Sequence, residues 1–305
     1  MIPPKPASTR RYRRVRLALV PLGIVLALFA WTGLRTDWRT PRVVESEFAI
    51  SPSTEGVLTI ATLNLAKLGF HSGGWRFASR RSLQERLDRV ADVLSGTNAD
   101  LICLSEAVHR CGPVQFDQVQ ALAEGCGYRY RVYVPNYDFG LPFFRISSGN
   151  ALLARVPLRE AQGEQLAGAK PFFAPANNRR ILWCEARIAD RWWTVASVQN
   201  DSFDPSNNLR QVEQILERLG GAPALLAGDL NADPDSPGGQ RWRNAKQLSM
   251  VARGAPTYPA SEPIRRIDDV LWPNSWKLLE QDVFDTGVSD HLGVVVRLVV
   301  PTGPE

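Results

Sequence analysis

The chain is 305 residues long, 44% hydrophobic and 22% charged, which allows a sizeable core and excludes a disordered protein. Its net charge of +5 is unevenly spread: residues 1–42 hold nine basic residues and one acid, leaving 27 basic and 30 acidic residues beyond. A generally basic, nucleic-acid-binding body is therefore not supported, which leaves room only for a local basic groove, and no fixed-period repeat argues for a solenoid.

In chain order, the first predicted element belongs to a membrane. Five arginines between Arg10 and Arg16 precede LALVPLGIVLALFAWTGL, residues 17–34, eighteen residues without a charge. That run reaches the length of a transmembrane helix and exceeds the apolar run of an ordinary signal peptide. A cleaved signal is the rival reading, but Leu28 stands where the cleavage pattern wants a small residue. In both readings the denser positive flank keeps the N-terminus in the cytoplasm and places the body outside. The expected organisation is a basic cytoplasmic segment (1–16), a transmembrane anchor or signal segment (17–34), a polar tether (35–56) and one domain over 57–300. The expected location is the cell membrane, single-pass, with secretion after cleavage as the alternative.

Strand-like runs then recur at 57–63, 101–105, 130–134, 151–155, 181–188, 192–198, 224–228, 268–272 and 293–300. Several are apolar throughout, as strands covered on both faces are. Leu83, Leu87, Val90 and Leu94 mark one face of a helix over about 79–95. Leu209, Val212, Leu216 and Leu219 mark another, capped by Ser206 and stopped by Gly220-Gly221, and Phe116, Val119 and Leu122 mark a third. The strands are too many for a doubly wound sheet, so two face-to-face mixed sheets with helices outside are expected. Cys103 and Cys184 fall in strand-like runs and read as buried thiols. Cys111 and Cys126 flank a short helix, and an oxidising compartment would suit a disulfide between them.

Polar residues gather where these strands begin and end. Asn64 closes the first and Glu106 the second. Asp229 and Asn231 follow the run ALLAG; Asp268 and Asp269 open the next strand, and Asp290 and His291 precede the last. Strand ends of a layered α/β fold converge on one rim, and oxygen donors there suit Mg²⁺, Mn²⁺ or Ca²⁺. Taken singly each piece has a plainer reading, GDLN as a turn and Glu106 as a solvated surface acid.

The ordered set TLNL, LSEA, GDLNADP, RIDDVLW and SDHLGVVV resembles the endonuclease/exonuclease/phosphatase superfamily, the DNase I-like proteins, over about 57–300. The resemblance implies a four-layered α/β sandwich of two mixed β-sheets flanked by helices, and a divalent-metal-dependent phosphodiesterase or nuclease. It implies Glu106, Asn64 and Asp290 beside the metal, and Asp229 as the group that orients or deprotonates water. It implies Asn231 on the phosphoryl oxygens and His291 on the scissile phosphate, steadied by Asp268. Asp269 would point the other way.

One position departs from the family pattern: Gln199 stands where many members carry a histidine. This admits a second expectation, an inactive member that binds a phosphorylated ligand or partner at the membrane surface. Arg179, Arg180, Arg241, Arg243, Arg265 and Arg266 are candidates to reach phosphate, with a solvated surface charge as the plainer reading, and Trp75, Phe139, Phe143, Phe144 and Trp242 fall in loop-like stretches, as candidates to stack on bases, enter lipid or cover the domain's own core. The expected substrate is a phosphodiester, in nucleic acid or a phospholipid head group; the membrane is met through 17–34, and no protein partner is implied.

Overall fold

The computed structural model describes residues 19–31, 41–48, 56–69, 78–109, 112, 116–141, 144–168 and 178–301. The strands are β1 (Val44–Glu45), β2 (Val57–Asn64), β3 (Leu101–Ala107), β4 (Tyr130–Leu141), β5 (Phe144–Ala154), β6 (Leu158–Gln165), β7 (Arg180–Ile188), β8 (Arg191–Gln199), β9 (Leu225–Asp229), β10 (Leu248–Ser249), β11 (Asp268–Pro273), β12 (Lys277–Phe284) and β13 (Gly293–Val299). Helix α1 covers residues 19–31; α2 (Arg80–Gly96), α3 (Gln118–Gly125), α4 (Pro205–Leu219) and α5 (Pro237–Arg243) follow. The ends of the predicted 17–34 segment lie outside the described residues, and among those residues no helix is long and apolar enough to cross a membrane.

One sheet runs β1-β4-β5-β3-β2-β13-β12 and the other β10-β11-β9-β8-β7-β6. Each contains one parallel pair, β2 with β3 and β8 with β9, and is otherwise antiparallel. Alternation along the strands explains the layers. Leu58 and Ile60 on β2 meet Val195, Leu225 and Val270 of the other sheet in a shared core. Their neighbours Ala61 and Leu63 face Leu83, Leu87, Val90 and Leu94 of α2. On the far side, Val198, Leu226 and Leu271 pack on Val212 and Ile215 of α4 and Trp242 of α5. The result is helix, sheet, sheet, helix.

Helices α2, α3 and α4 form where the sequence predicts, and α5 is an addition to that expectation. Ser79 accepts the Ser82 N–H at 3.2 Å and starts α2, a cap worth about 1 kcal/mol. Each buried leucine of that helix contributes about 1.5–3 kcal/mol. The α4 cap is Asp204, not Ser206: its carboxylate accepts from Ser206 N at 2.9 Å, and Pro205 fits the first turn, where no N–H is needed. Gly220 ends the helix in a left-handed conformation, φ 56°.

Strands β6 and β12 are absent from the sequence reading because each lies at a sheet edge with one solvated face, so LREAQGEQ and KLLEQDVF look like polar linkers. The β4–β5 hairpin also extends well past 130–134 and 151–155. Trp242, read from sequence as a loop aromatic, is core. Cys103 and Cys184 are buried thiols between the sheets; burial pushes Cys184 up to about 12 and raises Cys103 as well. Cys126 is buried too, and Cys111 lies outside the described residues, as do Trp75 and Phe143.

Gly228 explains the start of the GDLN run. A Cβ there would stand 1.9 Å from the Val198 carbonyl oxygen on the neighbouring parallel strand. Gly228→Ala is expected to force β8 and β9 apart and cost about 1–3 kcal/mol. A denaturation midpoint equal to that of the unsubstituted protein would remove this account.

Candidate active site

The register that makes the shared core also makes the site. On β2, β8, β9 and β11 the residues in phase with the shared core end in Asn64, Gln199, Asp229 and Asp268. All four are buried and lie at one end of the two inner faces. Glu106 is out of phase, because Ile102 and Leu104 before it face α2. A bulge between Leu104 and Ala107, with Glu106 at φ 52°, turns its side chain back toward the other sheet. Behind the site, Ser105 Oγ donates to Val198 O at 3.2 Å and Ser197 Oγ to Leu104 O at 3.3 Å, pinning the sheets together.

Asp229 is the centre. Its Oδ2 accepts from Asn64 Nδ2 and from Asn231 Nδ2, each at 2.9 Å, and its Oδ1 from the Asn231 N–H at 3.1 Å. Asn231 reaches back through a left-handed backbone, φ 48°, and also donates to Asn200 O at 3.0 Å. Burial pushes the Asp229 carboxyl up, the Asp268 charge adds to this and His291 opposes it, leaving it at about 7.

His291 Nδ1 lies 2.8 Å from Asp268 Oδ2, so Nδ1 carries the proton and Nε2 faces the cleft, 3.5 Å from Asn64 Nδ2. Thr257 Oγ1 donates to the same Asp268 oxygen at 2.8 Å. Burial works against the charged ring, but the bond to Asp268 and the charges of Asp268, Asp229 and Asp290 outweigh it and hold His291 up to about 9. Ser289 fixes the loop: its Oγ donates to Asn64 O at 2.6 Å and accepts the His291 N–H at 3.1 Å. Asp290 is exposed at the rim, its Oδ1 4.0 Å from His291 Nε2. Asp269 points to the helix side, as the alternation requires, and pairs with Arg266 in the interior.

Glu106 is held at both carboxylate oxygens. Oε1 accepts from Gln199 Nε2 at 3.0 Å, while Gln199 Oε1 accepts from Asn136 Nδ2 at 3.0 Å; Oε2 pairs with the Lys67 ammonium. Burial would raise Glu106, yet Lys67 holds it below the usual carboxylate range. Gln199, at the place of the expected histidine, is thus a buried clamp on Glu106. Of the arginines, Arg179 acts electrostatically on both Glu106 and Asp229; it is buried and donates from Nε to Asn200 O at 3.0 Å. Arg243 and Arg265 are tied to Asp235 and Asp233, and Arg266 to Asp269.

Lys67, Thr257, Ser289 and Asn136 join the site without being expected from the sequence. Only Lys67, three residues after Asn64, carried a signal that could have been used.

A cation has two places here. Asp229, Asp268 and His291 offer ligand atoms within 4.8 Å of one another and could hold a metal ion. Asp268 Oδ1 is buried and, among the described residues, accepts no hydrogen bond, but the other oxygens are already committed to N–H and O–H donors. Glu106 fits a cation better on this structure's own terms, because a cation, the Lys67 ammonium, already sits on it.

The sequence profile of the Endonuclease/Exonuclease/phosphatase family matches residues 61–291. No curated protein matches the chain. Among solved structures, the chain is similar to an endonuclease/exonuclease/phosphatase from Beutenbergia cavernae, with TM-score 0.64 and 21% identity over 80% of this chain and 72% of that one. A mannosyl-6-phosphatase from Bacteroides thetaiotaomicron gives 0.57 and 18% over 80% and 100%. The catalytic domain of human Nocturnin, solved with a bound sulfate anion, gives 0.59 and 16% over 85% and 98%. Likeness at these identities establishes a shared fold.

Proposed function

Because the chain belongs to the endonuclease/exonuclease/phosphatase family, we propose that it is a divalent-metal-dependent phosphoester hydrolase of the phosphodiesterase or nuclease type, working at the cleft between its two sheets. The observation that carries this reading is the pairing of a buried carboxylate, Asp229, with an imidazole held by Asp268, both at the end of the same inner faces. Phosphorus in a diester is shielded by anionic oxygens, so attack needs positive charge on those oxygens and a base for the incoming water.

Asp229 supplies the base. The amides of Asn64 and Asn231 fix its carboxylate, and a carboxyl at about 7 takes a proton near neutrality more readily than a solvated one. His291, protonated and anchored by Asp268, presents Nε2–H to a phosphoryl oxygen and offsets the charge that builds there. Arg179 adds a fixed positive charge beside Asp229, and Asn231 lines the same edge. Glu106, with Asn64 and Asp290, would hold Mg²⁺, or Mn²⁺ or Ca²⁺ in its place. When bound, that ion supplies Lewis-acid stabilisation of the phosphoryl oxygens and the leaving group.

The N-terminal segment supports action at a membrane: eighteen uncharged residues follow five arginines, and Leu19, Val20, Ile24 and Leu26 of α1 are exposed. In this reading 17–34 anchors the chain in the cell membrane and the 57–300 domain lies outside the cytoplasm. The substrate is a phosphodiester, of nucleic acid or of a phospholipid head group. Gln199 favours a second reading, because an amide spent on Glu106 and Asn136 donates no proton to a leaving group. An inactive member would bind a phosphorylated ligand instead.

The deciding experiment is hydrolysis of bis-p-nitrophenyl phosphate by the full chain with Mg²⁺ or Mn²⁺. EDTA is expected to abolish turnover, and Glu106→Ala to lower it by about a hundredfold or more. A folded protein that turns over nothing with either metal would leave the inactive-binder reading in its place.

A further inference from the structure

We propose that Lys67 is a built-in counter-ion of Glu106 that a divalent cation must displace, so that an intramolecular ion pair sets the metal affinity of the site. The proposal rests on the reading of Glu106 as a metal ligand.

The backbone around Lys67 is unusual for a surface lysine. Ala66, Lys67 and Leu68 are three successive non-glycine residues in the left-handed region, with φ 45°, 57° and 50°. Such residues are disfavoured, and a run of three persists only where surroundings impose it. The surroundings can be named. Asn64 Oδ1 accepts the Ala66 N–H at 2.9 Å, and the Leu68 N–H donates to Leu65 O at 2.7 Å. Gln118, fully buried at the start of α3, donates from Nε2 to Lys67 O at 2.7 Å, and Arg86 donates to Leu68 O at 2.8 Å. The Leu68 side chain is sealed in the core under α2. Every one of these contacts leaves the Lys67 side chain free to turn toward Glu106, where it forms its ion pair.

Glu106 is prepared from the other side. The bulge turns it inward, and Gln199, itself fixed by Asn136, occupies one oxygen. The remaining oxygen holds the ammonium. Both side chains keep about a fifth of their surface open, 22% for Lys67 and 23% for Glu106, so an ion can enter from the cleft and the lysine can swing out. One carboxylate oxygen cannot serve a close ammonium and a divalent ion at full strength. A resident cation therefore weakens binding of the incoming one, as an internal competitor does.

The test is Mn²⁺ binding to the full chain, followed by electron paramagnetic resonance, with circular dichroism to confirm folding. Lys67→Met is expected to tighten the Mn²⁺ Kd about tenfold, equivalent to about 1.4 kcal/mol. Lys67→Arg, which keeps a cation on the glutamate, is expected to stay near the unsubstituted value. A Kd for folded Lys67→Met that is unchanged or weaker overturns the proposal. Glu106→Gln separates the two claims: if it leaves Mn²⁺ binding unchanged, the assignment of the ion to Glu106 fails first. The unsubstituted chain gives a readout that needs no variant. Reductive methylation of Lys67, read by peptide mass, is expected to speed up when Mn²⁺ is added, and a rate unaffected by Mn²⁺ counts against displacement.

Discussion

Replacing His291 by alanine is expected to lower turnover of bis-p-nitrophenyl phosphate by about 10²–10⁴-fold while the protein stays folded. The magnitude follows from what the ring does in the proposed reaction: it is the protonated donor facing the phosphoryl oxygens, and alanine leaves that charge without a partner. The pH profile makes the prediction sharper. Asp229 acts as a base only when ionised, so the rate should rise as pH passes about 7. His291 acts as a donor only when protonated, so the rate should fall as pH passes about 9. The expected profile is a bell with its top between those values. His291→Ala should lose the alkaline limb. It should also move the acid limb to higher pH, because His291 is one of the groups that lowers the Asp229 value. A loss below tenfold, or an alkaline limb that survives the substitution, would exclude His291 as the donor.

The second large effect is on stability and lies one residue from the site. Arg266 and Asp269 form an ion pair in the interior, with Asp269 on the helix side of β11 directly after Asp268. Arg266→Ala leaves a buried carboxylate with its backbone bond to Val270 and no cation, and is expected to cost about 3–5 kcal/mol. Burial raises Asp269 to about 6 even with Arg266 beside it. An acid whose folded value exceeds its unfolded value, about 3.9, binds its proton more tightly when folded. It therefore weakens the fold progressively as pH rises from about 4 through 6, and by a constant amount above. Removing Arg266 raises Asp269 further, so the variant should lose more between pH 5 and pH 8 than the unsubstituted protein does. Urea denaturation at those two pH values measures this; an equal loss in both proteins would contradict it. Arg266→Met with Asp269→Leu should recover much of the stability, since an apolar pair replaces an ion pair that gains little in the interior.

What was legible in the sequence follows from what controls each feature. The apolar inner strands, the faces of α2 and α4 and the two buried cysteines are set by hydrophobic period, which a sequence displays directly. The alternation even separates Asp268 from Asp269. Edge strands β6 and β12 were invisible because one solvated face erases the contrast on which the period depends. The site was legible as far as residues sit at strand ends. It was not legible where a side chain is aimed by an irregular backbone or a distant partner. The turn that points Lys67 at Glu106 depends on Gln118, fifty-one residues later. Gln199 stood out as a departure, but its role as a clamp on Glu106 needed the second sheet in place. The arginines could not be sorted for a related reason: sequence shows charge and hides its partner, and Arg243, Arg265 and Arg266 are each paired to an aspartate.

The sequence distances inside the site bear on how the chain comes to life. Asn64 is 165 residues from Asp229 and 227 from His291, yet it touches both. The last strand, β13, lies between β2 and β12, so the first sheet cannot close until the end of the domain arrives. Contacts of this span fold slowly, because the ends of long loops must meet before any of the contact energy is gained. During synthesis, then, a growing chain carries the early half of the machinery for some two hundred residues without being able to use it. On the proposed function the chain is silent while nascent, and any truncation before His291 leaves it so.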